Sequence, residues 1–214
     1  AVRELVGLGH EVLVETKAGS GIGADDAEYK AAGAQVLTNV GSLFERAELI
    51  VKVKEPQPSE YGLFDSSHTL FTYLHLAADR PLTQALLDSG TTAIAYETIT
   101  DTHGGLPLLR PMSEIAGRFS VQAGAYSLQA QSGGAGVLLG GAAGVSAAEV
   151  VIIGGGVVGT NAAKMALGLG ARVTILDKSV QRLSELDDLF GGQVNSVYAN
   201  RSAIAQWSTR ADLL

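Results

Sequence analysis

Val150-Val151-Ile152-Ile153-Gly154-Gly155-Gly156-Val157-Val158-Gly159 is a run of four aliphatic residues that feeds directly into a glycine turn of the form G-x-G-x-x-G. Alone, such a turn is a weak signal, and a glycine turn with no ligand is the plain alternative; its surroundings give it weight. The β-branched run predicts a buried strand, Val157 to Leu169 predicts a helix, and Arg172 to Leu176 predicts a second strand ending on Asp177. In a unit of this order Gly154 permits the tight turn, Gly156 puts no Cβ between the backbone and a pyrophosphate, and Gly159 lets the helix pack close to the strand. The N–H groups of Val157 and Val158 then face the phosphates at the positive end of the helix. Asp177 is placed to accept hydrogen bonds from the ribose hydroxyls and to repel a 2′-phosphate, so the expected cofactor is NAD rather than NADP. Lys178 and Arg182 qualify that preference, since either cation can compensate a 2′-phosphate, although residues so placed more often stay solvated or lie over the adenine.

Outward from this unit, a second one comes into view. Gly7-Leu8-Gly9-His10-Glu11-Val12-Leu13-Val14-Glu15 resembles Gly168-Leu169-Gly170-Ala171-Arg172-Val173-Thr174-Ile175-Leu176-Asp177, each reading as a helix end followed by a strand that closes on a carboxylate. Arg46-Ala47-Glu48-Leu49-Ile50 likewise echoes Arg210-Ala211-Asp212-Leu213-Leu214 at nearly the same offset. Chance is one explanation, because helix-glycine-strand junctions are common. Tandem units are the other, and they predict an α/β chain of two Rossmann-like parallel-sheet domains joined by a long helix. The expected boundaries are a first domain over 1–111, a connecting helix over 112–133 that is rich in helix formers, and a nucleotide-binding domain over 134–214. On this reading the first domain lacks its opening strand and the second its C-terminal strands, as in a piece of a longer protein.

Composition narrows the partners. The 214 residues are 46% hydrophobic, enough for real cores, and 27 glycines against 5 prolines suit many tight strand-to-helix turns. A formal net charge of -7 disfavours nucleic acid and anionic membrane, leaving small molecules as the expected partners. Zero Cys excludes thiolate chemistry and suits a reducing cytoplasm; no residue cluster suggests a metal.

Two polar residues stand where strands of the first domain should end. Lys54 closes Ile50-Val51-Lys52-Val53, and His75 follows Thr69-Leu70-Phe71-Thr72-Tyr73-Leu74. Ligands of open α/β sheets bind beyond the carboxyl ends of strands, where a Lys can hold a carboxylate or polarise a carbonyl and a His can move a proton near neutral pH. Spacing alone leaves the alternatives open: a solubilising Lys, or a His that satisfies a backbone group. Lys52, deeper in its strand, is the expected bystander, and surface roles are expected of His10, His68 and His103.

Four segments add specificity. Lys52-Val53-Lys54-Glu55-Pro56, Tyr73-Leu74-His75-Leu76-Ala77-Ala78, Ala95-Tyr96-Glu97-Thr98 and Pro111-Met112-Ser113-Glu114-Ile115-Ala116-Gly117-Arg118 resemble the signature segments of the alanine dehydrogenases, and the likeness runs through the whole chain. The resemblance implies that Lys54 holds the substrate carboxylate or keto oxygen, that His75 is the proton donor and acceptor, that Ser113 touches the cofactor, and that Asp177 and Arg182 bind its adenosine part. The implied reaction is the reversible, NAD-dependent oxidative deamination of L-alanine to pyruvate and ammonia, in a cytoplasmic homohexamer. Departures are a substrate-binding Arg and an active-site Asp that both fall outside this sequence, and Ala199 where some members place a Ser. Little alanine oxidation is therefore expected of these 214 residues alone. The NAD-binding subunit of proton-translocating transhydrogenase is the nearest rival, and a non-catalytic NAD-binding fragment is the third reading.

Overall fold

The computed structural model describes all 214 residues, and they form two compact units, Ala1–Thr100 and Asp101–Leu214. In the first, α1 (Val2–Gly7), β1 (Leu13–Glu15), α2 (Asp26–Ala31), β2 (Gln35–Leu37), α3 (Val40–Phe44), β3 (Leu49–Val51), β4 (Thr69–Thr72), α4 (Arg80–Ser89) and β5 (Thr92–Ala95) alternate as expected. Every pairing is parallel, with β1 beside β2 in one sheet and β3, β4 and β5 side by side in another. Helix starts follow local chemistry: Asp25, Asn39 and Asp79 each accept a hydrogen bond from a first-turn N–H of the helix they cap. Phe44, Ile50, Phe64, Leu70, Leu74, Leu82 and Leu86 make the core beneath the three-stranded sheet.

The second unit contains α5 (Arg110–Ser127), β6 (Glu149–Ile153), α6 (Val157–Gly168), β7 (Arg172–Asp177), α7 (Val180–Phe190), β8 (Val194–Tyr198) and α8 (Arg201–Ser208). Strands β6, β7 and β8 are parallel neighbours in that order, and Leu213 forms a parallel bridge to Val150 on the other side of β6. Chain order therefore reverses direction at β6, which makes its carboxyl end a topological switch point. The helix predicted over 112–133 is α5, ending at Ser127; a short 3-10 turn, Ala130–Ser132, follows, and a Cβ on Gly134 would lie 2.1 Å from the carbonyl oxygen of Ser127. Helix α5 packs on α6, where a Cβ on Gly117 would lie 2.2 Å from the carbonyl oxygen of Val158, so two backbones meet at a residue without a side chain. No helix is long and apolar enough to cross a membrane.

The two helix-to-strand junctions that resemble each other in sequence also share a backbone geometry. Leu8 after α1 has φ -86° and ψ 0°, Leu169 after α6 has φ -89° and ψ 0°, and the glycines that follow, Gly9 and Gly170, have φ of 89° and 83°. A left-handed glycine ends each helix and turns the chain into its strand. In the second unit β6 stands between β7 and Leu213, whereas in the first no strand stands between β1 and β3.

Candidate functional site

Two groups of residues, one in each unit, gather at carboxyl ends of strands. In the second unit Gly154 has φ 101°, a left-handed conformation that opens the turn after β6. A Cβ on Gly159 would lie 1.9 Å from the Gly154 carbonyl oxygen, whereas one on Gly156 would meet nothing within 4 Å. The loop is thus crowded on its protein side and open on the side where a phosphate would approach. No side chain caps α6, and the N–H groups of Val157 and Val158 belong to its first turn, so the donor set fits a pyrophosphate. A cavity of about 600 Å³ brings Ser113 of α5 together with Gly154, Gly156, Val157, Val158 and Gly159. Ala199 donates its N–H to the carbonyl of Asp177 just past β8.

Asp177 both faces this loop and holds it. One carboxylate oxygen accepts from Ser179 N at 2.8 Å and the other from Gly155 N at 2.7 Å; these bonds, in that order, hold the carboxyl below its usual value. Arg182 departs from the sequence expectation that it stays solvated or lies over the adenine. Its Nε donates to the Gly155 carbonyl at 2.7 Å, a terminal nitrogen donates to Thr160 Oγ1 at 2.9 Å, and the other pairs with Glu185. The cause is local: α7 begins so soon after β7 that its first turn lies under the glycine loop, whose buried carbonyl needs a donor. Thr160 Oγ1 donates to that same carbonyl at 3.0 Å.

If Asp177 reads the ribose as well as holding the loop, its substitutions should separate. Asp177→Ala is expected to weaken NAD by about 1 to 3 kcal/mol, the scale of a lost charge-assisted hydrogen bond, and NADP by less. Asp177→Asn keeps an acceptor for Gly155 N and should spare the loop while shifting the preference toward NADP. Fluorescence titration of both cofactors checks this, and equal losses for the two would show that Asp177 does not read the ribose.

In the first unit Lys54 lies beyond β3 rather than closing it, since that strand ends at Val51 and only Lys52 N extends the ladder, to Phe71 O. His75 lies equally far past β4. Leu49 pairs with Thr69 and Val51 with Phe71, and the same offset carried past the strand ends sets Glu55 opposite His75. Glu55 accordingly reaches His75 Nδ1 at 3.1 Å and Lys54 Nζ at 3.0 Å. Its own backbone N–H, then Lys54, then His75 draw the Glu55 carboxyl down to about 2.

His75 adopts a left-handed backbone, φ 50° and ψ 33°, which is unusual for a residue with a side chain. Glu97 compensates: its carboxylate accepts from His75 N at 2.8 Å and from Leu74 N at 3.0 Å. Burial alone would raise the Glu97 carboxyl, but backbone N–H bonds from His75, Glu97 itself and Leu74 outweigh it and lower it. Thr72, fully buried, donates its hydroxyl to Lys54 O at 3.1 Å and so pins the neighbouring strand end.

Glu55, Glu97 and Thr72 were not assigned roles by sequence, although all three lie in or beside the quoted segments; the strand register is the signal that finds them. Lys52 pairs with Glu60 and stays a bystander. His68 corrects the expectation of a surface role: it is 5% exposed, accepts Asp65 N at Nδ1, and its Nε2 lies 2.9 Å from Phe44 O, which fixes the proton on Nε2. Its polar neighbours Asp65, Ser66 and Ser67 disguise a ring packed edge-on against Phe44 and Phe64. His10 and His103 are exposed.

A glycine loop at the switch point of a parallel sheet, with an acidic side chain closing the second strand, makes the second unit a Rossmann-like fold. Residues 1–116 match the alanine dehydrogenase/PNT N-terminal domain and residues 120–214 match the alanine dehydrogenase/PNT C-terminal domain, and the chain belongs to this family. It is 57% identical over 212 residues to an alanine dehydrogenase of Halomonas elongata, covering 99% of this chain and 57% of that protein. A solved L-alanine dehydrogenase is 55% identical with a TM-score of 0.87, covering 98% of this chain and 58% of that one. A transhydrogenase from Sinorhizobium meliloti is 26% identical with a TM-score of 0.75 over 98% of this chain and 61% of that one. The chain therefore spans somewhat more than half the length of these relatives.

Proposed function

We propose that the intact protein catalyses the reversible, NAD-dependent oxidative deamination of L-alanine to pyruvate and ammonia. The observation that carries this reading is the meeting of Lys54 and His75 through Glu55 at adjacent strand ends of the first unit. A cation that can hold a carboxylate beside an imidazole that can move a proton suits an amino acid and its keto acid. Bound NAD would supply the hydride acceptor. The chain's own groups do the rest: Lys54 holds the substrate carboxylate or keto oxygen, and His75 accepts the proton on oxidation and returns it on the reverse path. Ser113, Gly154, Gly156, Val157, Val158, Gly159, Asp177 and Arg182 hold the cofactor, with Arg182 acting in part through the Gly155 carbonyl. A cytoplasmic homohexamer is part of the same proposal: a chain without Cys suits a reducing compartment, and the hexamer is what the resemblance stated above implies.

The likeness to a transhydrogenase favours a second reading, hydride exchange between two nucleotides, which has no need of an amino-acid site. Purified intact protein given L-alanine and NAD should form reduced cofactor and pyruvate. Lys54→Ala should lower the rate and raise KM for pyruvate together, because the ammonium both binds and orients. Absence of alanine turnover, with hydride passing from NADH to an NADP analogue, would replace the first reading with the second.

A further inference from the structure

Glu55 has no part in the chemistry assigned so far, yet it touches both residues that do. Its side chain is 18% exposed, against 77% for Lys54 and 55% for His75, so the carboxylate sits beneath the two groups that face outward. The backbone around it is held on both sides: Thr72 donates to Lys54 O, and Pro56 is fully buried. A free surface pair on mobile side chains would have neither feature and would contribute little.

We propose that Glu55 is a positioning residue: it holds His75 Nδ1 and the Lys54 ammonium at once, fixing the imidazole tautomer whose Nε2 is the free base. The proposal rests on the alanine-oxidising reading for its kinetic consequences, but not for its structural one. An ionised carboxylate accepts hydrogen bonds and donates none, so the proton between Glu55 and His75 belongs to Nδ1. The depressed carboxyl, held near 2, keeps Glu55 in that acceptor state at any physiological pH. Nε2 then carries a lone pair when the ring is neutral, and a proton taken there leaves an imidazolium beside an anion. The backbone is fixed separately, by Glu97 on His75 N. Two carboxylates from two strand ends thus set the same residue, one its ring and one its chain. The Tyr73 ring lies nearly parallel to that of His75, 6.0 Å between centroids.

The test uses the intact protein with Glu55→Ala, Glu55→Gln and Glu55→Asp. Solid-state NMR of protein labelled with 15N-histidine, at a pH where the rings are neutral, reads the tautomer directly, with the His75 signals identified by their loss in His75→Ala. Wild type should carry the His75 proton on Nδ1, and Glu55→Ala should move it to Nε2, the site an unconstrained imidazole prefers in water. In kinetics, Glu55→Ala and Glu55→Gln should lower kcat about 10²-fold with KM for NAD unchanged, and Glu55→Asp should recover most of the loss. A wild-type proton on Nε2, or an Nδ1 proton that persists in Glu55→Ala, would overturn the proposal. A wild-type protein that fails to oxidise alanine would overturn the functional reading instead, and the tautomer would still decide the role of Glu55.

Discussion

In the intact protein, on the alanine-oxidising reading proposed above, replacing His75 with alanine is expected to lower turnover of alanine by about 10² to 10⁴-fold while NAD binding stays at its wild-type level, the range that a positioned general acid or base supplies. The two sites lie in different compact units, so the loss should not spread to the nucleotide loop. A complication is that His75 has a strained backbone, φ 50°, held by Glu97. His75→Ala keeps that strain and removes only the ring; His75→Gly would relieve it, and so controls for any change in stability. Stopped-flow measurement of reduced cofactor, with titration of NAD on the same preparations, separates the effects. Near-normal turnover in both variants would take His75 out of the chemistry.

Gly159→Ala should be the more damaging change to the proposed cofactor site. Its new Cβ would lie 1.9 Å from the Gly154 carbonyl oxygen and 3.1 Å from the Cγ2 of Ile152, so relief requires the turn itself to open. Overpacking on this scale costs about 1 to 3 kcal/mol, or roughly 5- to 150-fold in affinity if the loop bears it. A thermal midpoint lower by about 5 °C should accompany the loss of NAD binding. Gly156→Ala gives the contrast: with open space around its Cβ it should leave the midpoint unchanged and still weaken NAD, because the methyl occupies the ligand's side of the loop. If both glycines lowered the midpoint alike, or neither weakened NAD, the division of the loop into a packed side and a ligand side would be wrong.

What the sequence determined by itself is whatever local chemistry controls. The strand from Val150 to Ile153, the turn from Gly154 to Gly159 and Asp177 at the close of β7 were all legible, because apolar periodicity, missing Cβ atoms and a strand-end charge are properties of neighbouring residues. The matching junctions at Gly9 and Gly170 were legible for the same reason, since a left-handed glycine ends α1 and α6 alike. Only the tertiary structure decided which residues act on which. Glu55 meets His75 and Glu97 meets Leu74 because parallel register brings positions 20 and 23 residues apart to one edge, and nothing within either segment states that register. Arg182 turned inward, not outward, because the Gly155 carbonyl left by the tight loop needs a donor there. His68, polar by its immediate neighbours, is buried because Phe44 from far back in the chain and nearby Phe64 both pack edge-on against it. Hydrogen-bond demand and packing across strands join residues far apart in the chain, so no single segment of sequence states them.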